Sequence, residues 1–166
     1  MNVRLLLISF IVLFLSSFAS AQIVTTIADV QDTTGGAGGG DSHLNGQTVT
    51  VKGVVSGESW AFNGVYYIQD GSGPWSGIMV YGDWGRNNAY GDSVQLTADV
   101  SEYNGLTELV NVVNYVKLDS GLTVTPTVVT TAEIGTGGAN AEAYECVLVT
   151  VLNAEITNPS LGYGEW

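Results

Sequence analysis

The segment Gly64–Leu109 constrains the fold of this chain more than any other part of the sequence. It holds three runs of alternating apolar and polar residues that are typical of strands, and glycine-rich loops with aromatic side chains separate them. Long helical apolar patterns do not occur in the sequence that follows the first 21 residues. Short strands joined by turn signals predict a small all-β domain, either a sandwich or a five-stranded Greek-key barrel.

Five strands are predicted within the barrel, which spans residues 45–118. They are Thr48–Ser56, Val65–Gln69, Gly77–Tyr81, Ser93–Val100 and Leu106–Leu118. The inner face of the fourth strand is predicted to hold Val94, Leu96, Ala98 and Val100. Asn104-Gly105 predicts a hairpin turn before the fifth strand, because both residues adopt positive φ at little cost. The apolar pattern of the fifth strand is looser, so its register stays open.

Residues 1–21 are predicted to be an export signal that is removed from the mature protein. Arg4 gives a positive start, Leu5–Leu15 is almost wholly apolar, and Ala19-Ser20-Ala21 suits cleavage after small residues. The alternative is a retained membrane anchor, but the apolar run is short for a span of about 20 residues. We therefore expect a secreted or cell-surface protein without membrane contact once the signal is gone.

The remaining parts of the chain are predicted to flank the barrel. Residues 22–44 are expected to form an extended segment and a glycine-rich loop, and residues 119–138 a connector. Residues 139–166 are expected to contain one helical turn, Asn140–Glu145, and a long strand, Cys146–Thr157. The order of elements there repeats the opening of the barrel, which predicts the start of a second, truncated β module. The alternative is an extra edge strand packed on the barrel.

The charge of the chain is strongly acidic, with 16 Asp and Glu against 4 Lys and Arg and a formal net charge of −12. Beyond the predicted signal, only Lys52, Arg86 and Lys117 are basic. Because Lys and Arg contacts to phosphates supply most non-specific affinity for nucleic acid, a phosphate-tracking surface is not expected. The charge suits solubility in a salty medium, and the alternatives are calcium binding or a cationic partner.

No catalytic site is predicted in this chain. Ser42 and Ser93 stand in Gly-Asp-Ser triplets that are known from one class of esterases. The only histidine, His43, is adjacent to Ser42, and neighbouring side chains cannot form the geometry of nucleophile and base. Cys146 is the only cysteine, and its apolar surroundings predict a buried thiol in a strand; the alternative is a disulfide with another chain. The prediction is therefore a protein without catalytic activity of its own.

No cofactor is predicted, and calcium is the one weak alternative. Asp70, in its Asp-Gly-Ser-Gly turn, and Asp83 offer carboxylate oxygens. A calcium site needs six to eight oxygen ligands, and the spacing does not match a known calcium loop. Asp70 is more simply expected to cap its own turn.

Three ordered motifs carry a resemblance to a known family. They are GQTVTVKGVVSG, YYIQDGSGPWSGIMVY and GDSVQLTADVSEYNGLTEL, preceded by a short IADVQ. Over about residues 23–118 the chain resembles the OB-fold modules of secreted bacterial proteins. Such modules occur beside catalytic domains in extracellular nucleases of the endonuclease/exonuclease/phosphatase class, and in surface proteins exported by the type IX route. The resemblance implies a five-stranded OB-fold Greek-key barrel and, by the family's name, nucleic-acid binding.

The sequence departs from the family's pattern at two places. Thr97-Ala98-Asp99-Val100 replaces a segment that usually resembles VTGTV, and it adds an outward acid to the fourth strand. Cys146 stands where family members commonly have glycine. Neither change threatens the implied fold, but the first makes a phosphate-binding face less expected.

A ligand-binding face is predicted on the second and third strands and the loops around them, where OB barrels bind their ligands. Alternation places four side chains inside: Tyr66, Ile68, Ile78 and Val80. The predicted ligand-binding residues are Trp60, Phe62, Tyr67, Gln69, Trp75, Met79, Tyr81, Trp84 and Arg86. The aromatic members suit stacking of bases or sugar rings, and the tryptophans are expected to fringe one rim. The alternative is that half of them close the barrel ends or cover neighbouring domains.

The sequence thus predicts a secreted, non-catalytic OB-fold binding module in a longer extracellular protein such as a nuclease. The predicted ligand is single-stranded nucleic acid, and the predicted partner is a downstream domain of the same polypeptide. The alternative is a structural or glycan-binding module of a bacterial surface protein, with a polysaccharide as ligand. The scarcity of Lys and Arg favours a neutral polymer.

Overall fold

The computed structural model describes residues 23–36, 40–59 and 64–155, and this part of the chain is mostly β. The helices are α1 (Ile27–Val30) and α2 (Thr131–Ile134), and Glu142–Tyr144 forms a 3-10 turn. The strands are β1 (Thr48–Gly57), β2 (Tyr66–Gln69), β3 (Gly77–Val80), β4 (Ser93–Tyr103), β5 (Leu106–Asp119), β6 (Thr127–Val129) and β7 (Val149–Val151). The predicted signal, residues 1–21, lies outside the described residues, as does the chain beyond residue 155.

The first five strands form one sheet that closes in a ring. Their order is β1-β2-β3-β5-β4, and β4 returns to pair with β1. Neighbouring strands are antiparallel except β3 and β5, which run parallel through Met79–Glu108 and Val80–Leu109. This arrangement confirms the prediction of five strands that close into one sheet at about residues 45–118, in a chain that is mostly β. It excludes a flat open sheet.

The core of the ring is formed by the inner faces that alternation predicts. Side chains with no more than 1% exposure there include Tyr66, Ile68, Ile78, Val80, Val94, Leu96, Ala98 and Val100. Each large apolar side chain buried in this way contributes about 1.5–3 kcal/mol to the free energy of unfolding. The inner-face prediction is therefore confirmed for β2, β3 and β4.

The segment before the ring is helical at its centre, so the prediction of an extended segment is wrong there. Thr26 caps α1, because its hydroxyl accepts a hydrogen bond from the amide of Asp29 at 3.1 Å. Ile27 and Val30 lie three residues apart on one helical face, and both are fully buried in the core of the ring. The amide of Ile27 donates to the carboxylate of Asp70 at 2.8 Å. Asp70 thus holds α1 rather than its own turn.

The pairing of β5 with β4 shifts register at three places, and two of these are bulges at asparagines that hide the register from sequence reading. Between the pairs Thr97–Val113 and Asp99–Val110, two residues of β5 lie opposite one residue of β4, and the same holds between Gln95–Val116 and Thr97–Val113. The extra residues are Asn111 and Asn114, which have φ of 54° and 50°. Positive φ suits Asn better than other non-glycine residues. Two bulges within one strand break the period of two on which the register prediction depends.

Substitution of Asn114 tests whether positive φ fixes this bulge. Asn114→Gly is expected to leave the free energy of unfolding nearly unchanged, whereas Asn114→Val should lower it by about 1–2 kcal/mol, because a β-branched residue is strained at positive φ. Asn114 is exposed, so lost packing does not confuse the comparison. Urea unfolding measures both variants. Equal stability of the two would show that the bulge is not held by the backbone conformation at residue 114.

The part of the chain after the ring adds a small parallel sheet. β6 and β7 pair in register from Thr127–Val149 to Val129–Val151. The predicted connector, residues 119–138, therefore contains a strand and the helix α2, in which Thr130 and Glu133 form a capping box. No helix among residues 23–36, 40–59 and 64–155 has the length and apolar character needed to cross a membrane.

The predicted strand Cys146–Thr157 is described only as far as residue 155, and within that part only Val149–Val151 is a strand. The helical turn expected before it is present as the 3-10 turn. Cys146 lies in a turn with φ of 58° instead of in a strand. The reason is a non-local contact: the amide of Leu148 donates to the side-chain oxygen of Gln69 at 2.7 Å. The thiol of Cys146 is partly buried, and burial raises its pKa to about 12.

Candidate ligand-binding groove

A groove of about 510 Å³ lies on the outer face of β2, β3 and β5. Its wall consists of Val65, Tyr67, Met79, Tyr81, Tyr103, Leu106 and Glu108, and we call it the tyrosine groove. Strand pairing explains its centre, because Tyr67 is opposite Met79 and Met79 is beside Glu108. Side chains that alternate along three adjacent strands therefore form one row across the sheet.

The two flanks of the tyrosine groove come from different turns. Tyr81 follows the last residue of β3 and is exposed, and its ring meets that of Trp84 edge-on at a centroid distance of 5.8 Å. Tyr103 and Leu106 flank the β4–β5 hairpin turn, in which Asn104 and Gly105 have φ of 53° and 86°. Both turn residues have the positive φ that the sequence predicts for them, and Tyr103 is 65% exposed.

Glu108 is the buried polar group of the tyrosine groove. Only 6% of its surface is exposed, and its carboxylate has no hydrogen bond or ion pair within the described residues. The carboxylate oxygens are not among the fully buried atoms that lack a partner, so they remain accessible from the groove. Burial raises its pKa, and the charge of Glu102 on the neighbouring strand raises it further. Glu102 itself accepts hydrogen bonds through Oε1 from the amide of Ser42 and the hydroxyl of Thr107. Its Oε2 is buried without a partner among the described residues.

The raised pKa of Glu108 predicts a pH-dependent effect of Glu108→Gln on stability. The folded protein holds this proton more tightly than the unfolded chain, so ionised Glu108 lowers the free energy of unfolding as pH rises through the raised pKa. The substitution is expected to leave the melting temperature unchanged at about pH 4 and to raise it at about pH 8. Thermal unfolding at both pH values measures this difference.

Glu133→Gln is the control, because its effect on the melting temperature is expected to have the opposite sign. Hydrogen bonds from Thr130 lower the pKa of Glu133, so its charge stabilises the folded state above the pKa of the unfolded chain. This control should lower the melting temperature at about pH 8 and not at about pH 4. A uniform effect of Glu108→Gln at both pH values would contradict the unpaired burial of Glu108.

The basic residues of the described chain do not line the tyrosine groove. Arg86, which sequence reasoning assigned to ligand binding, donates to Asp83 through Nε at 2.9 Å and Nη2 at 3.2 Å. Its guanidinium also stacks on the ring of Tyr115, with Cζ 3.9 Å from the centroid. Lys117 pairs with Asp92 at 2.7 Å, and Lys52 lines a separate cleft beside β1. The groove is therefore aromatic and acidic.

The tryptophans do not fringe one rim as the sequence predicts. Trp84 is 61% exposed and covers Gly64, where an added Cβ would lie 2.3 Å from the indole. Trp75 lies at the opposite end of β3, in the β2–β3 turn, and its amide donates to the carbonyl of Ala143 at 2.6 Å. It lines a shallow depression beside α1 instead of the tyrosine groove. Trp60 and Phe62 lie outside the described residues.

Gln69, predicted on the binding face, is withdrawn from the tyrosine groove. It is 2% exposed. Residues 143–148, which we call the crossing segment, cross the sheet above it. The side-chain oxygen of Gln69 accepts from Leu148, and its amide donates to the carbonyl of Gly71 at 3.2 Å. Gly77, its partner on β3, leaves space for the backbone of Cys146. The crossing segment thus occupies one end of the predicted face.

Sequence reasoning missed four residues of the tyrosine groove. They are Val65, Tyr103, Leu106 and Glu108. Tyr103 and Leu106 flank the Asn-Gly turn, and this position beside a predicted turn is the signal that points to them. Glu108 reaches the groove only through the parallel pairing of β5 with β3, which no local pattern reveals.

The other chemical groups that the sequence singled out have structural partners. Asp83 accepts from the hydroxyl of Tyr66 and from Arg86, and Asp70 accepts from the amide of Ile27. Ser42 donates its hydroxyl to the carbonyl of Val30 at 2.5 Å. Within the parts of the chain that the structure describes, no three His, Cys, Asp or Glu side chains are grouped as metal ligands.

Comparison with known proteins finds no match, whether to a protein family, a curated protein or a solved structure.

Proposed function

We propose that the closed ring is an OB-fold barrel. Support comes from the strand order β1-β2-β3-β5-β4, from the single parallel pair β3–β5 and from the closing pair β1–β4. OB folds bind oligonucleotides and oligosaccharides across strands two and three, between the β1–β2 and β4–β5 loops. The tyrosine groove occupies that position, because Tyr67 and Met79 lie on β2 and β3, and Tyr103 flanks the β4–β5 turn.

We further propose that the chain is a non-catalytic module that binds a polysaccharide in the tyrosine groove. The observation that carries this proposal is three tyrosines around a buried, unpaired Glu108, without a Lys or Arg in the groove wall. Sugar rings offer apolar C–H faces for contact with aromatic rings and hydroxyls that donate hydrogen bonds. Ligand sites commonly combine apolar and aromatic walls with a few polar groups that fix orientation. An ionised carboxylate only accepts hydrogen bonds, which suits a ligand rich in hydroxyls.

Substitution of Tyr103 tests this function. The side chain of Tyr103 is exposed, and its hydroxyl makes no hydrogen bond within the described residues, so the fold does not depend on this side chain. Tyr103→Ala is expected to weaken oligosaccharide binding about tenfold, or ~1.4 kcal/mol, whereas Tyr103→Phe keeps the ring and should retain most of the affinity. A glycan array selects the ligand, and calorimetry measures it. Full affinity in Tyr103→Ala would contradict the proposal. Val113→Ala, exposed further along the same hairpin, is the matched control.

Single-stranded nucleic acid is the second candidate ligand, because exposed tyrosines on an OB sheet also suit stacking of bases, at about 1–3 kcal/mol each. The acidic wall and the engaged Arg86 weigh against it. Titration of fluorescent oligonucleotides at low salt tests this version. Binding that Tyr103→Ala weakens would favour nucleic acid over polysaccharide. Absence of binding at millimolar protein would exclude nucleic acid.

Export, a surface location and a downstream domain are part of the same proposal. They depend on the sequence of residues 1–21 and on the resemblance to modules of extracellular proteins. A polysaccharide-binding module suits such a setting, because it would hold an attached domain close to a polymer. Edman sequencing of exported protein that begins at Gln22 would support the export prediction, and a retained Met1 would contradict it.

A further inference from the structure

Glu108 has a carboxylate that no cation and no hydrogen-bond donor of the described protein contacts. A buried carboxylate is normally paired with a cation or held by several hydrogen bonds, because the loss of water is otherwise costly. Glu108 is 94% buried, yet it has neither kind of partner within the described residues, and it faces the tyrosine groove. A cation in the groove would supply the missing partner.

The surroundings of Glu108 concentrate negative charge. Glu102 lies on the adjacent strand, close enough to raise the pKa of Glu108, and it raises that of Glu145 as well. The basic side chains of the described chain are used elsewhere, since Arg86 and Lys117 pair with Asp83 and Asp92. Lys52 belongs to the cleft beside β1. No basic side chain of the described protein is therefore left for Glu108, and a cationic ligand would supply the partner.

The tyrosine rings suit the same kind of ligand. The faces of aromatic rings attract cations, and a carboxylate beside several such rings forms a site for an ammonium group. The groove wall supplies Tyr67, Tyr81 and Tyr103 around Glu108. An ammonium group on a sugar ring would meet both the rings and the carboxylate.

We infer that the polysaccharide bound in the tyrosine groove contains hexosamine units with a free, protonated amine, which pairs with Glu108. This inference rests on the proposed function and names the class of sugar. The amine distinguishes the ligand from neutral and N-acetylated sugars, which have no charge to pair with Glu108. It also distinguishes the ligand from acidic sugars, which the negative groove repels.

A matched pair of ligands tests the inference: the tetrasaccharides of glucosamine and of N-acetylglucosamine, which differ only in acetylation. Calorimetry at about pH 6, where the free amine is largely protonated, is expected to show at least tenfold tighter binding of the glucosamine tetrasaccharide. Glu108→Gln should abolish this preference. Glu155→Gln removes the same charge from an exposed site and should preserve it.

The outcomes separate this inference from the proposed function. Equal or tighter binding of the N-acetylated tetrasaccharide, unchanged by Glu108→Gln, would overturn the inference and leave the polysaccharide proposal standing. A preference for glucosamine that survives in Glu108→Gln would also overturn it, because general attraction to an acidic surface would then explain the preference. Absence of binding to any oligosaccharide on a glycan array would overturn the proposed function itself.

Discussion

Replacement of Gly77 by alanine is expected to detach the crossing segment from the sheet and to lower the free energy of unfolding by about 1–3 kcal/mol. An added Cβ at residue 77 would lie 2.2 Å from the carbonyl oxygen and 2.5 Å from the carbonyl carbon of Cys146. These atoms belong to the backbone, so no side-chain rotation relieves the clash. The crossing segment has to move instead.

Few hydrogen bonds hold the crossing segment on the sheet. One added methyl group at residue 77 is therefore expected to have a large effect on stability. Its described hydrogen bonds to the ring include those from Leu148 to Gln69 and from Trp75 to Ala143. Displacement of the crossing segment would break the hydrogen bond from Leu148 to Gln69. The buried side-chain oxygen of Gln69 would then have no donor. A buried polar group that loses its partner costs about 1–3 kcal/mol, so the clash and the lost bond act in the same direction.

Two measurements check the Gly77→Ala prediction. Urea unfolding reports stability, and the rate of thiol labelling reports displacement of Cys146, since burial now raises the pKa of the thiol and keeps it protonated and slow to react. Labelling should become faster in the variant. The control is Gly71→Ala in the same hairpin, where the added Cβ would meet only Ser76, at 3.6 Å. Unchanged labelling and stability in Gly77→Ala would contradict the packing of the crossing segment.

The second large effect is expected for Tyr66, which closes one end of the core. Tyr66→Ala should lower the free energy of unfolding by about 3–5 kcal/mol, as does truncation of other large aromatic core residues. Its ring is fully buried, and its hydroxyl donates to Asp83 at 3.0 Å. Burial and the charge of Asp83 raise the pKa of the hydroxyl, so it remains a donor throughout the neutral range.

The hydroxyl of Tyr66 belongs to a hydrogen-bond network. Its contribution to the free energy of unfolding can be measured separately from that of the ring. Asp83 also binds Arg86, whose guanidinium stacks on Tyr115, and Tyr115 donates its hydroxyl to Asn88 at 2.5 Å. Tyr66→Phe retains the ring and removes one hydrogen bond to a charged acceptor, which is worth about 1.5–3 kcal/mol. Arg86 would still satisfy Asp83, so we expect the lower end of this range.

A double-mutant cycle checks the assignment to Tyr66 and Asp83. Chemical unfolding of Tyr66→Phe, Asp83→Asn and the double variant yields the coupling between the two side chains, which should reach about 1 kcal/mol. Tyr66→Ala should be clearly less stable than Tyr66→Phe. Equal losses for Tyr66→Phe and Tyr66→Ala would contradict the burial of the ring in the core. Additive losses in the cycle would contradict the hydrogen bond.

The sequence predicts those elements that local patterns determine. Strict alternation from Val94 to Val100 identifies the inner face of β4, and Asn104-Gly105 identifies the hairpin turn. Both predictions are confirmed because side-chain direction in a strand and positive φ in a turn are local properties. The helix α1 was missed because four residues are too few to show a helical period, and its burial depends on contacts with the distant strands.

The candidate site was only partly predictable, because long-range pairing assembles it. Tyr67 and Met79 are neighbours across a hairpin, and alternation alone places them on one face. Glu108 joins them through the parallel pair β3–β5, and the bulges at Asn111 and Asn114 obscure the register of that strand. Gln69 was assigned to the binding face because the sequence does not reveal that the crossing segment covers it.

Met79 offers the most direct test of the claim that the tyrosine groove binds the ligand. The sequence contains two methionines, Met1 and Met79, and Met79 lies in the groove wall between Tyr67 and Glu108. With methionine methyl groups labelled with carbon-13, titration with the glucosamine tetrasaccharide is expected to shift the Met79 methyl resonance until binding saturates. A Met79 resonance that does not move while calorimetry reports saturated binding would contradict the assignment of the groove.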